Sequence, residues 1–522
     1  MTSKYWLIII TLLAFIVRIY QTNYVPLLWD EASIGYNAYS IIKTGKDEYG
    51  VRLPFIFKSF GDYKPGFYIY LTIPFVADLG LTPLAVRLPS IIIGSLTPLF
   101  LFLLITAISP GSKKLALISA LLLAFNPFNI LFSRGAWETN ILTFELILAS
   151  YFFVRQKYFW SSLVFGLTLF TYQGGKIMSP LIILALLIIF RPSLKNFFLK
   201  FSLPLFIIAL PVIVGLLTQN DSNRLQVFSL WSYSQNQTEV NQIVAESSRS
   251  DYLVFHNQVF FFLRGFWERY FNNFSPRFLV FEGDWQVARH STPYIGVILY
   301  PSLIFLYLGL FKKLSSRLTP LTCFFLFWLL TAPLASALTR DSIQPVRDMS
   351  LSIPLIFFIA SGLKLITSSK LKIFIFFVYI LSFIYYSDLY LNHFVKNKPP
   401  EHLYGYQQAT NYLLANSKDK TDIYFSDFYG QPYIFYLFFS QYDPAKYQSQ
   451  ANLVVNGLDT GKVTQIDNIH FESPNFNGAK LKPHQLMIFS YDDAIRQGID
   501  LSLLTPLSPV NNTTTFYGYQ TN

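Results

Sequence analysis

The sequence predicts an all-α polytopic membrane bundle of about 11 transmembrane helices, followed by an external C-terminal domain of α/β or α+β type. Three observations predict it. Apolar runs near the roughly 17–25 residues that span a bilayer recur from Tyr5 to about Tyr390. Basic residues cluster on every second connection between those runs, the pattern of cytoplasmic loops. Beyond Tyr390 the composition becomes that of an ordinary soluble domain. The whole chain is only 13% charged, against about 25% for a soluble protein, and the deficit falls in the apolar runs.

The expected spans, in order, are Tyr5–Tyr20, Leu84–Ile108, Leu115–Phe132, Ile141–Val154, Phe159–Tyr172, Ile177–Phe190, Phe198–Leu217, Pro293–Phe311, Leu318–Ala335, Val346–Leu365 and Leu371–Leu389. Lys4, Lys113 and Lys114, Arg155 and Lys157, Arg191 with Lys195 and Lys200, Lys312 with Lys313 and Arg317, and Lys370 with Lys372 mark the inner ends. That alternation sets the N-terminus inside and the C-terminal domain outside. A membrane domain then covers 1–390, with outer loops 21–83 and 218–292, and an external domain covers 391–522. Gly66–Gly80 is apolar but short; a full span there would break the alternation, so a juxtamembrane or re-entrant hairpin is the preferred reading over an extra span.

The net charge is +11. In a soluble chain this would suggest nucleic acid, but the basic residues lie between apolar runs and no basic face or binding motif appears, so no nucleic acid is expected. The single cysteine, Cys323, sits in an apolar run and reads as packing. No small-residue cleavage site follows the first apolar run, which is read as a retained anchor.

With this parity the unusual polar residues share the outer face: Trp29–Lys64, Ser133–Asn140, Thr171–Lys176 and Thr218–Thr292, joined by Thr339–Asp348. In WDEASIGYNAYS, Asp30 and Glu31 follow an apolar run. Carboxylates at such depth are costly and point to function, since desolvation makes a carboxylate a better base; alternatively, the pair caps the helix starting near Ala32. In FGDYKPGFYIY, Lys64 stands beside Asp62 at an apolar boundary. It can bind phosphate as a point charge or snorkel to the interface. In FSRGAWETN, Arg134 can grip phosphate with a fork of donors, and an Arg134–Glu138 pair at helical spacing is the plainer reading. TYQGGKIMSP places Tyr172 and Lys176 at another helix mouth, with two glycines permitting close backbone approach, or forms a plain loop. DWQVARHSTPYIG adds Arg289 and His290, and TRDSIQPVRD adds Arg340 and Arg347. Six histidines, with only His256 in the same loop as His290, do not make a metal site compelling.

An acidic pair and several separated cations at headgroup depth suit transfer of a group from a lipid phosphate: a carboxylate activates an acceptor and cations stabilise the leaving phosphate. Neither a Walker-type nor a dinucleotide glycine loop is present, so a membrane-delivered donor is favoured over a soluble nucleotide sugar.

WDEASIGYNAYSIIKTGKDEYG, GDYKPG, VRLPS at Val86–Ser90 and SRGAWETN, in that order, resemble the GT-C type integral-membrane glycosyltransferases. The likeness is to the branch holding protein O-mannosyltransferases and the aminoarabinose transferase of lipid A, and YQGGK and RHSTP look like its bacterial members. It runs from the N-terminus to about residue 350. The resemblance implies a polyprenyl-phosphate sugar donor, an unknown acceptor (protein, lipid or cell-envelope glycan), inversion at the anomeric carbon, transfer of a hexose or pentose, and a site at the outer face of a bacterial plasma membrane. It makes Asp30 the catalytic acidic residue of the first outer loop with Glu31 beside it, Glu138 the second acidic position, Lys64 and Arg134 the donor-phosphate contacts, and Lys176 an additional phosphate or sugar contact. Asp62, Tyr172, Arg289, His290 and Arg347 are candidate substrate contacts. The acidic pair can hold a divalent ion, although no ligand set is complete. The chain departs from the family where Gly66 replaces the second proline of Lys-Pro-Pro and where Glu138 replaces an aspartate.

The tail, from Asn392, combines a helix-like stretch at Tyr404–Ala415 with strand-like runs such as TDIYFSDF, and binds acceptor or braces the membrane domain. The rivals are a transporter or flippase of lipid-linked sugars, which should carry charges at mid-membrane depth and on both sides, and a non-catalytic partner in envelope polymer assembly.

Overall fold

The computed structural model describes residues 3–218, 237–455, 461–476, 481–510 and 513–521. Residues 219–236, part of the expected outer loop 218–292, lie outside the described residues. The chain divides into two compact units, one of Met1–Arg18, Ile92–Ser133 and Trp137–Ser387, the other of Ile19–Ile91, Arg134–Ala136 and Asp388–Asn522.

The first unit is helical. Among the described residues of the whole chain, five helical stretches are long and apolar enough to cross a membrane: Ser3–Tyr24, Pro83–Ile108, Pro320–Ala337, Pro345–Leu363 and Ser369–His393. In chain order helices α1 (Ser3–Ile19), α2 (Trp29–Thr44), α3 (Phe67–Leu79) and α4 (Pro83–Ile108) come first, α2 and α3 belonging to the second unit. The run Leu115–Phe132 is broken rather than straight: α5 (Lys113–Ala124) and α6 (Pro127–Arg134) meet at 54°. Pro127 lacks the N–H that would continue the ladder. Asn126 closes the break, accepting from Asn129 N–H at 3.0 Å and donating to Val297 O at 2.8 Å. Then follow α7 (Glu138–Val154), α8 (Tyr158–Thr171) and α9 (Gly175–Phe190). The expected Pro293–Phe311 span becomes helical only at Ser302, after Pro293 and Pro301, neither of which can donate a backbone hydrogen bond.

Helix Ser302–Leu314 lies against Ser352–Leu363 at backbone distance. A Cβ at Gly309 would fall 1.9 Å from Phe358 O, and one at Gly362 would fall 2.0 Å from Phe305 O. Small residues at membrane helix contacts allow that approach.

In the second unit, α3 has 13 residues, roughly 20 Å at 1.5 Å per residue, short of the roughly 30 Å hydrocarbon core. Ahead of it β1 (Ile56–Ser59) and β2 (Asp62–Pro65) pair antiparallel, Ser59 opposite Asp62. The two residues between them, Phe60 and Gly61, both have positive φ, 53° and 89°, the backbone of a type I′ hairpin turn. The tail forms a six-stranded mixed sheet in the order Gln465–Ile466, Ile469–His470, Asp422–Phe425, Gln485–Ser490, Phe516–Gln520 and Thr505–Pro506. Its helices Pro432–Phe439 and Pro444–Gln450 pack on α2. Gln448 Nε2 donates to Ser40 Oγ, Thr44 Oγ1 and Asp47 O at 2.8–3.1 Å, and a Cβ at Gly35 would strike Phe438 at 2.6 Å.

Candidate functional site

The second unit gathers four of the sequence-predicted charges. Helix α2 starts at Trp29, earlier than Ala32, so the capping reading passes from Asp30 to Glu31: Leu28 N–H donates to Glu31 Oε2 at 3.0 Å. Glu31 is buried and takes three further donors. Arg87 Nε lies 2.8 Å from Oε1, Arg87 Nη2 lies 2.6 Å from Oε2, and Ala136 N–H donates to Oε1 at 2.8 Å. Arg87 spends its remaining donors on the carbonyls of Thr22, Val25 and Pro26. Glu31 and Arg87 therefore pin three distant segments together, and both oxygens of Glu31 face N–H donors rather than a second carboxylate.

This lock leaves Asp30 on the adjacent side of the helix, with its side chain 37% exposed and paired to Lys64. The hairpin delivers that lysine. The Phe60–Gly61 turn sets the register that places Lys64 opposite Phe57, and Lys64 Nζ also stands 5.4 Å from the centre of the Phe60 ring, a cation–π distance. Asp62 opens β2. Gly66 follows, donating its N–H to Phe55 O at 3.0 Å, and a Cβ there would lie 2.3 Å from the Phe57 ring. That contact explains the departure from Lys-Pro-Pro: proline would lose the hydrogen bond and hit the ring.

Arg134, last residue of α6, is also buried in this unit. Its Nε donates to Tyr390 Oη at 3.2 Å, its Nη2 donates to Gln21 O at 3.1 Å, and its guanidinium lies 5.1 Å from the Tyr390 ring centre. Ala136, two residues on, is the one that binds Glu31, so the SRGA turn ties Arg134 to the same lock.

Beneath the hairpin lies a buried acid that sequence reasoning passed over. Glu48 Oε1 accepts from Asn37 Nδ2 at 3.0 Å, and Glu48 N–H donates back to Asn37 Oδ1 at 3.0 Å. Ser33 Oγ lies between Glu48 Oε1 (3.5 Å) and Ser59 Oγ (3.3 Å). Burial pushes the Glu48 carboxyl up to about 8, against the lowering effect of Asn37. Arg87 was passed over too. The signals were present: an arginine inside an apolar run for Arg87, and an acid in the quoted KDEYG for Glu48.

The first unit holds the remaining candidates. Tyr172, ending α8, is within electrostatic reach of Arg347, Glu138 and Asp348. Lys176 lies in the first turn of α9, where Gly175 is required because a Cβ would meet Thr168 O at 2.4 Å. His290 is buried, its Nδ1 2.8 Å from Asp284 Oδ2 and its ring edge-on to Trp137 at 5.5 Å. Asp284 also accepts from Gln286 and Val287 N–H, so the pair closes a turn on itself. Arg289 precedes His290 on the same short 3₁₀ turn. Among the described residues no group of three or more His, Cys, Asp or Glu is placed to hold a metal ion.

The family described as dolichyl-phosphate-mannose-protein mannosyltransferase matches residues 8–217. No curated protein matches the chain in sequence. Among solved structures, ArnT from Cupriavidus metallidurans in the apo state is 11% identical, with a TM-score of 0.54 over 99% of this chain and 98% of that one. ArnT bound to undecaprenyl phosphate gives 0.55 over the same shares at 11% identity. The archaeal oligosaccharyltransferase AglB from Archaeoglobus fulgidus, in complex with an inhibitory peptide and a dolichol-phosphate, is 13% identical, with a TM-score of 0.48 over 83% of this chain and 63% of that one. The family match and the ArnT-like fold support a membrane glycosyltransferase of the GT-C type that resembles the branch of protein mannosyltransferases and ArnT.

Proposed function

We propose that this chain moves a monosaccharide, hexose or pentose, from a polyprenyl-phosphate donor to an acceptor at the outer face of the membrane, with inversion at the anomeric carbon. The observation that carries the reading is the partly exposed Asp30–Lys64 pair, mounted on a buried Glu31–Arg87 lock that also holds the Arg134 turn. A carboxylate and a lysine side by side, with an arginine tied to the same scaffold, are the parts that a phosphate leaving group and a hydroxyl or amine acceptor require.

In this mechanism the donor phosphate draws Lys64 away from Asp30. Asp30 then accepts the acceptor proton as the acceptor attacks the anomeric carbon, while the glycosidic C–O bond to phosphate breaks. Lys64 and Arg134 stabilise the departing polyprenyl phosphate. Glu31 acts as a positioning residue, because four donors already occupy its oxygens. Glu138 supplies the second acidic position, and Lys176 a further donor contact. Asp62, Tyr172, Arg289, His290 and Arg347 contribute to substrate binding, directly or by shaping the outer loops. The reading includes about 11 spans, the N-terminus in the cytoplasm of a bacterial cell, and the tail outside as a brace on α2.

The test is transfer from a panel of radiolabelled polyprenyl-phosphate sugars by purified wild type and Asp30→Asn. Transfer by wild type that disappears in a folded Asp30→Asn supports the reading; full transfer by the variant overturns the role of Asp30. Lipid movement across vesicles without any transfer would replace it with a transporter.

A further inference from the structure

The first unit contains an apolar groove with a basic mouth that sugar transfer does not use. It lies beside helix Ser369–Asp388, which is fastened along its C-terminal half. There Tyr386 Oη donates to Pro127 O at 3.3 Å, the Phe383 ring meets Phe125 edge-on at 5.1 Å, and Tyr379 Oη lies 3.0 Å from Ser302 Oγ. Its buried residues are Ser382 and Tyr386. A cavity of about 560 Å³ runs along this helix from Lys372 to Ile384, its other walls built from α1 and α5, with apolar side chains such as Leu13, Leu122 and Phe376 lining it.

One end of this cavity is ringed by Lys114, Lys364 and Lys372, and no acidic residue lines it. A fourth lysine, Lys313, is near enough to Lys364 that burial and the like charge together hold its pKa below the usual lysine range. Among the described residues none of the four forms an ion pair. Lys313 and Lys364 repel one another, Lys372 Nζ donates to Thr367 O at 2.9 Å, and an anion at the mouth would relieve the like-charge repulsion. Lys114, Lys313 and Lys372 belong to the basic clusters that the loop pattern assigns to the cytoplasmic side, and Lys364 ends the expected span Val346–Leu365 at that same side.

The dimensions select the anion. From Lys114 to Phe125 the groove follows α5 for eleven residues, roughly 16 Å at 1.5 Å per residue. That is about half of a roughly 30 Å hydrocarbon core, the depth of one leaflet. A free phosphate would leave the apolar cavity empty, and a neutral lipid would leave the lysines unmatched. Basic pockets between transmembrane helices on the cytoplasmic side suit anionic headgroups. We propose that this groove binds one anionic phospholipid of the inner leaflet, with an acyl chain in the cavity and the phosphate on Lys114, Lys364 and Lys372.

The inference stands apart from the transfer reading, and its test does not use transferase activity. Full-length protein in neutral detergent is titrated with phosphatidylglycerol, phosphatidylcholine or inorganic phosphate, with the unfolding midpoint and the lipid retained in native mass spectrometry as readouts. Phosphatidylglycerol should raise the midpoint by several degrees and leave one lipid bound, with little effect from the other two. The variant K114Q/K364Q/K372Q should weaken that lipid tenfold or more, and Leu122→Trp, which fills the groove and keeps the lysines, should do the same. Equal stabilisation by phosphatidylcholine, an equal shift with inorganic phosphate alone, or undiminished phosphatidylglycerol binding by Leu122→Trp would each overturn the proposal. Leu122→Trp decides the matter even where the triple variant fails to fold.

Discussion

Arg87 grips Glu31 with two donors, Nε to Oε1 at 2.8 Å and Nη2 to Oε2 at 2.6 Å, and both side chains are buried. Removing one member of such a pair leaves an uncompensated buried charge and costs about 3–5 kcal/mol. Arg87→Met should therefore lower the unfolding midpoint sharply and abolish transfer with it. Thermal unfolding in detergent checks this; an Arg87→Met protein as stable as wild type would remove the lock from the argument.

The Asp30–Lys64 pair should behave oppositely. Both members are about a third exposed, and exposed pairs contribute about 0–1 kcal/mol. Lys64→Gln should leave the unfolding midpoint within a few degrees of wild type while reducing kcat for transfer by roughly 100-fold or more, the scale of losing one charge-stabilising group. Unfolding and initial-rate measurements on the same preparation separate these effects.

Arg134→Lys tests the fork. The guanidinium donates to Tyr390 and Gln21 in a planar fork, and an ammonium cannot reproduce that geometry for these partners or for a phosphate. We expect kcat/KM for the polyprenyl-phosphate sugar to fall at least tenfold, about 1.4 kcal/mol, with most of the change in KM. A fall confined to the unfolding midpoint would make Arg134 structural only.

Glu48 should make the second unit sensitive to pH. Its carboxyl is pushed up from 4.5 to about 8 by burial, so the folded state holds the proton more tightly than the unfolded state. The contribution to stability is fully present below about 4.5 and is lost as pH rises toward 8, by up to roughly 4 kcal/mol. Glu48→Gln keeps the Asn37 and Ser33 contacts without the ionisation. Wild type should lose stability relative to Glu48→Gln between pH 5 and 8; parallel stability curves would refute the assignment.

Gly66 is held by the Phe57 ring, 2.3 Å from where its Cβ would be. Gly66→Ala should cost about 1–3 kcal/mol by overpacking, and pairing it with Phe57→Leu should return part of that cost. A double-mutant cycle without coupling would show that the ring moves aside freely.

Charge in an apolar setting marked Asp30, Lys64 and Arg134 in the sequence, because ionised groups near hydrocarbon are too costly to occur without a use or a partner. The broken run at Asn126–Pro127 was less legible: a hydropathy pattern registers apolar length, while the bend depends on one absent N–H and on a bond from Asn126 to Val297, 171 residues away. Gly66–Gly80 reads as short, and the basic-loop alternation disfavours a full span there; the structure gives it the 13-residue helix Phe67–Leu79.

By itself the sequence determined the helical membrane character, the connections that carry basic charge and the motifs that carry the family likeness, since these follow from local composition and order. Only the tertiary structure decided what each acid does. Glu31 and Asp30 are neighbours of like chemistry, yet one is buried under Arg87, 56 residues on, and the other is left beside Lys64. The division arises because successive residues of a helix point about 100° apart, so adjacent carboxylates face different surroundings, and the partners that fill those surroundings come from distant segments.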